Sequence, residues 1–267
     1  MKSLKVLGTC RPLLLFFVLA FGLSWGNAVL TAASPSFPFL FPYGPLLAAL
    51  IVASATSGRA GLKELASRCL RWRVGLRWYA AASLVPVAIA LAAAGLTVLL
   101  GAAMPPVDQI GPWHRPFLLL PEALFDAPLG EESGWRGFAL PLFPAGASAL
   151  ASSLVLGVLI AGWHLPIALS APTLVPYLVG TVASAVLANW VYYNARGSAF
   201  LVILYHTVQN AFGGWYLFRL FTGDDLVRLW WLWSGLYCAA AVGVIILTGP
   251  TLSRRPAPRP DPQPDSC

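Results

Sequence analysis

Residues 78–100 read WYAAASLVPVAIALAAAGLTVLL, twenty-three positions without a charge. A helix of that length rises about 34 Å, enough to cross a hydrocarbon core of about 30 Å. The run is continuously apolar rather than alternating, so it is not a barrel strand, and only helices and closed barrels satisfy their backbone in lipid. Further apolar runs lie to either side, at 13–33, 43–56, 117–142, 147–169, 175–193, 198–217 and 229–247. Composition agrees: 58% of residues are hydrophobic and 10% are charged, where a soluble domain carries about 25% charged residues. The expected fold class is all-α: a polytopic membrane protein with about eight transmembrane helices. A single domain over 1–252 is expected, followed by a Pro-rich tail, 253–267, of the composition that stays disordered.

The formal net charge is +7, yet the basic residues are strung between apolar runs and form no compact basic domain, which argues against nucleic acid as a partner. Membrane topology accounts for them better. Arg59, Lys63, Arg68, Arg71, Arg73 and Arg77 crowd one loop, which the positive-inside rule places in the cytoplasm. Strict alternation then puts Lys2, Lys5, Arg11, Arg196, Arg254, Arg255 and Arg259 on that side, and Arg115, Arg219 and Arg228 on the other. Both termini are therefore expected to be cytoplasmic, in a bacterial-type plasma membrane. Within the basic loop, Leu62, Leu65 and Leu70 among charged neighbours suggest a short amphipathic helix on anionic lipid. The 13–33 run is read as a retained span rather than a signal peptide, whose apolar region is about 7 to 15 residues, although Thr31-Ala32-Ala33 would serve as a cleavage site. Cys10, Cys69, Cys238 and Cys267 have neither paired nor zinc-type spacing.

Ionisable groups inside spans are the informative residues, because each costs about 2.5 to 3.5 kcal/mol to insert. They fall in three places: Gly130-Glu131-Glu132-Ser133-Gly134-Trp135-Arg136, Gly162-Trp163-His164-Leu165-Pro166, and Tyr205-His206-Thr207-Val208-Gln209-Asn210. On a helix Glu132 and Arg136 share one face at i and i+4 and can pair, which leaves Glu131, turned by about 100°, without a local partner. His206 and Asn210 share the same spacing and can address one small object together. His164 precedes Pro166, where a helix end would open space beside it. Glu122 and Asp126 lie upstream of the pair and read as interfacial residues more than as part of a water path. Trp230, Trp231 and Trp233 read as an aromatic belt.

These three segments resemble the motifs of the CPBP family, the CAAX protease and bacteriocin-processing intramembrane proteases. The pattern of two glutamates, three spacers and arginine stands as Glu131-Glu132-Ser133-Gly134-Trp135-Arg136. The pattern of Phe, three residues and His stands as Ile160-Ala161-Gly162-Trp163-His164, with Ile in place of Phe, and the third motif stands as His206 with Asn210. The order also agrees, the motif core covers 117–214, and the basic loop resembles that of bacterial members. The resemblance implies an eight-helix fold whose conical cavity opens towards the cytoplasm. Glu131 and His164 would activate a water against a peptide bond, and His206 and Asn210 would steady the oxyanion. Glu132 and Arg136 complete the implied catalytic set. The substrate would be a membrane-associated peptide or protein, lipidated in the CAAX branch, with membrane lipid as the other partner.

Two questions stay open on the residues alone. Glu131, His164 and His206 could present a carboxylate and two imidazoles to zinc, a known catalytic set. A metal-free glutamate mechanism uses the same residues, and the absence of a His-Glu-x-x-His helix tilts the reading that way. The second question is activity itself: a non-catalytic scaffold, immunity protein or sensor of the same fold would carry the same spans. A proton-relay transporter would use the same buried groups, but no repeat or pair of broken helices is evident.

Overall fold

The computed structural model describes residues 11–26, 40–168 and 171–253, and among these it is helical without a strand. The end of the 13–33 run, the Thr31-Ala32-Ala33 site and the tail from 254 lie outside the described residues. Helix α1 is Arg11–Trp25, α2 Gly44–Cys69 and α3 Leu76–Leu99. Short turns then lead to α4, Leu120–Asp126, and α5, Pro128–Gly134. Helix α6 is Ala149–Trp163, α7 Leu174–Asn194, α8 Ala199–Val208 and α9 Gly223–Thr248.

Among the described residues four helices are long and apolar enough to cross a membrane: Gly44–Cys69, Leu76–Leu99, Leu174–Asn194 and Gly223–Thr251. Helices α1 and α6 are shorter apolar helices. The eight unbroken spans expected from hydropathy are thus not what the described residues form, and the reasons are local. The 117–142 run breaks where Pro128 follows Ala127 (φ −140°, ψ −49°), and beyond Gly134 it continues as a π-helical segment, Trp135–Ala139, and a 3-10 turn, Leu140–Leu142. A proline has no amide proton to continue the helix before it. The 147–169 run stops being α6 at Trp163, just ahead of Pro166. The 198–217 run is α8 followed by a π-helical segment, Gln209–Gly214.

The expected second span and amphipathic helix adjoin within α2 at Gly58, whose non-helical φ of +56° and ψ of −138° suit glycine and separate the two. Beyond Gly58, Lys63 and Glu64 are exposed while Leu65 is buried, as an amphipathic surface helix requires. Outward-facing Leu14, Val18, Leu84, Leu91, Val158 and Ile246 make an apolar exterior of a kind that suits lipid. With these apolar helices, the chain is an integral membrane protein.

Two ends of the bundle are fixed by long-range contacts. At one, an Arg71 guanidinium donates to the Arg196 carbonyl, Arg196 to the Arg73 carbonyl, and Ser198 Oγ to the Arg71 carbonyl at 2.7 Å. Asn194 Nδ2 donates to the Leu252 carbonyl at 2.6 Å, so α9 also finishes at this basic end. At the other, Arg228 Nη1 reaches the Leu100 carbonyl (3.2 Å) and Tyr216 the Ile110 carbonyl (3.0 Å). The grouping of Arg71, Arg73 and Arg196, opposite Arg228, is the one that strict alternation gives.

Candidate functional site

Helix α5 carries the paired glutamates and is seated on the start of α2 by two glycines. A Cβ on Gly134 would lie 2.5 Å from Pro45, and one on Gly130 would lie 2.7 Å from the Pro42 carbonyl oxygen. No larger residue permits that approach, which turns Glu131 and Glu132 away from α2 into the bundle. Both are buried, with relative exposures of 3% and 4%, and Arg136 is as buried at 3%. A charge so placed needs partners.

Glu132 has them. Arg136 Nη1 donates to both of its oxygens, at 3.0 and 2.7 Å, and His206 Nδ1 lies 3.0 Å from Oε1. Arg136 is anchored in turn, since its Nε donates to Asn189 Oδ1 (2.9 Å) and Asn189 Nδ2 donates to Ser153 Oγ (3.0 Å). One line of polar groups therefore ties α8, α5, α7 and α6 together. Because a carboxylate only accepts, His206 Nδ1 carries a proton and Nε2 is left for the cavity.

Glu131 differs. Among the described residues its Oε2 takes part in no hydrogen bond, and it stands 3.9 Å from His164 Nε2, too long for a direct bond. His164 Nδ1 is 2.8 Å from the Ile160 carbonyl, again an acceptor only, so the proton sits on Nδ1 and Nε2 offers its lone pair towards Glu131. Ile160, which replaces the more usual Phe, holds His164 through its backbone, an interaction indifferent to the side chain.

Glu131, Glu132, Arg136, His164, His206 and Asn210 all line one cavity of about 650 Å³. Asn210 reaches it from the start of the π-helical segment, one turn beyond His206, with Val208 and Gln209 between them in right-handed helical conformation. Irregular turns of this kind often mark functional sites. Among the described residues no three His, Cys, Asp or Glu side chains are placed to hold a metal ion, so the Glu131, His164 and His206 trio does not fit a zinc ligand set. His206 is bonded to Glu132, not grouped with the Glu131–His164 pair.

The structure adds residues that sequence reasoning passed over. Trp230 and Trp233 belong to the cavity wall, beside Tyr177 and Phe218, where a belt was expected; only Trp231 points outward, 51% exposed. The His164 ring meets Tyr177 edge-on at 5.5 Å, and Tyr177 meets Trp230 at 5.3 Å. Gln209 Oε1, in the same wall, accepts from Ser184 Oγ (2.7 Å) and from the buried Tyr237 behind it (3.1 Å). Polar Ser184, Asn189 and Gln209 in apolar runs were the available signal. Asp126 lines the rim of the cavity, Glu122 does not, and His114 is exposed and apart.

Comparison with known families rests on the stretch that holds all six residues. Residues 112–212 match the Rce1-like family, type II CAAX prenyl endopeptidases. This agrees with the CPBP resemblance read from the three motifs. The Rce1-like stretch starts ahead of α4 and ends within the π-helical segment after α8, so it takes in Glu131, His164, His206 and Asn210 and leaves α1 to α3 and α9 outside. A comparison with curated proteins gives no match.

Proposed function

We propose that the chain is an intramembrane endopeptidase in which Glu131 and His164 activate a water. One observation carries this: a buried carboxylate oxygen, without a hydrogen bond among the described residues, faces an imidazole lone pair at 3.9 Å inside a cavity of the membrane bundle. Two acceptors at that separation can each take one hydrogen of the same water, which leaves its lone pairs for a carbonyl carbon. Glu131 accepts the proton as the O–C bond forms, and the carbonyl oxygen becomes an oxyanion. The proton later passes to the leaving amine. General base catalysis of this type contributes about 10²- to 10⁴-fold.

Asn210 Nδ2 and His206 Nε2 are the donors for the oxyanion. His206 donates through Nε2 as an imidazolium, with Nδ1–H held by Glu132, so Glu132 and Arg136 are positioning residues. The Rce1-like match supports a CAAX-type protease, and hence a peptide or protein substrate. The reading extends to a domain over 1–252 in which the short helices complete the expected eight crossings. It is a glutamate mechanism: Glu132 is already engaged by Arg136 and His206, which leaves Glu131 and His164 as a pair.

The test compares membrane proteomes of cells expressing the wild type, Glu131→Gln, His164→Ala and His206→Ala at matched levels. New peptide termini are expected only with the wild type. Termini that persist in Glu131→Gln would remove the base.

A further inference from the structure

The cavity and the basic loop were expected on the same side of the membrane, and the structure sets them at opposite ends. Exposed Phe125, Asp126 and Ile167, with partly buried Phe41, Tyr43 and Tyr177, line the outer part of the cavity, where α1 leads into α2, α4 into α5, and α6 into α7. Tyr43 donates to the Phe125 carbonyl (2.7 Å) and Trp25 Nε1 to the Trp163 carbonyl (2.9 Å), which binds these junctions into one end. Arg136 and Ala188 mark the far limit of the lining, and no residue of the 70–75 or 195–198 turns reaches it. Those turns belong to the end locked by Arg71, Arg73, Arg196 and Ser198.

Charge decides which end faces the cytoplasm. Among the described residues the locked end carries Arg11, Arg59, Lys63, Arg68, Arg71, Arg73, Arg77 and Arg196, whereas the rim end carries Arg115, Arg219 and Arg228. Lys and Arg within about 15–20 residues of a span are in excess on the cytoplasmic side. The locked end is therefore cytoplasmic.

We infer that the cavity opens on the non-cytoplasmic side, and that its substrate is an apolar peptide segment presented from there rather than a cytoplasmic C-terminal tail. The substrate half rests on the peptidase reading above; the direction of the mouth does not. Apolarity follows from the aromatic wall of Phe125, Tyr177, Phe218, Trp230 and Trp233, which suits large hydrophobic side chains near the scissile bond. Large aromatic side chains are enriched at membrane–water interfaces, where a membrane-anchored chain leaves the bilayer.

The direction is tested by thiol labelling. Asp126→Cys at the rim and Lys63→Cys on the basic face are placed in full chains whose Cys10, Cys69, Cys238 and Cys267 are replaced by alanine. Spheroplasts are then treated with a membrane-impermeant maleimide before and after lysis. Asp126→Cys is expected to label in intact spheroplasts and Lys63→Cys only after lysis. The reverse pattern overturns the inference. Should the cysteine-free chain not fold, green fluorescent protein fused after Cys267 of the wild type gives the same answer, since α9 ends at the basic face: a fluorescent fusion supports the inference and a dark one overturns it.

The substrate half is read from the termini that depend on Glu131. Sites on outward-facing segments support it, and sites on cytoplasmic segments overturn it. Outward labelling with no Glu131-dependent termini removes the substrate half together with the peptidase reading, while the direction of the mouth stands.

Discussion

Adjacent glutamates in one helix have opposite surroundings, and this separates their roles in measurement. Glu132 is held by Arg136 and His206, so Glu132→Ala leaves a buried guanidinium unpaired and should cost about 3–5 kcal/mol, seen as a lowered Tm in detergent. Among the described residues Glu131 Oε2 has no such partner, so Glu131→Gln should leave Tm unchanged or higher while cleavage falls about 10²- to 10⁴-fold. Equal destabilisation by both would contradict the division. Dialysis against a strong chelator should leave cleavage intact, because no three ligands converge among the described residues; loss of activity restored by zinc would refute the glutamate mechanism. The sequence made much of this readable. An i, i+4 Glu and Arg in an apolar run must pair, and their pairing isolates the neighbouring glutamate. It could not show His206 bonded to Glu132, because that contact joins residues 74 positions apart. Nor could it show the Asn189 and Ser153 anchor, which depends on how α7 and α6 pack.

At the scale of elements, the site depends on α5 lying against α2 with only glycines between. Gly134→Val forces its Cβ into Pro45 and should cost about 1–3 kcal/mol, and it should abolish cleavage with every catalytic side chain present. Thermal unfolding and the cleavage assay measure the two effects separately; full activity in a stable Gly134→Val would show that the approach is not required. Hydropathy found where apolar helices lie but not how long each one runs. Averaging over a window passes smoothly across Pro128 and Pro166, although each proline ends a regular helix by removing a donor. The same breaks give the site its shape. His164 stands at the end of α6, Glu131 in the first turn of a restarted helix, and Asn210 in a π-helical turn, so each projects where an unbroken helix would present only its side.

Over the whole molecule, the cavity wall is made by helices distant in sequence, and this is why the aromatic residues of α9 were read as a belt. Trp230 touches Tyr177 and Phe218 across the bundle. Trp230→Ala should therefore raise KM for an apolar substrate while kcat is kept; a fall in kcat alone would mean that Trp230 orders the catalytic groups instead. The polar line from His206 through Glu132, Arg136 and Asn189 to Ser153 lies across the inner limit of this space. Below it Gly137 packs against Leu65 and Cys69. Among the described residues the cavity is thus a blind well, closed at its inner limit by the Glu132–Arg136 ion pair. For the proposed peptidase, such a well would admit water from one face only, so hydrolysis could run inside an energised membrane without discharging it.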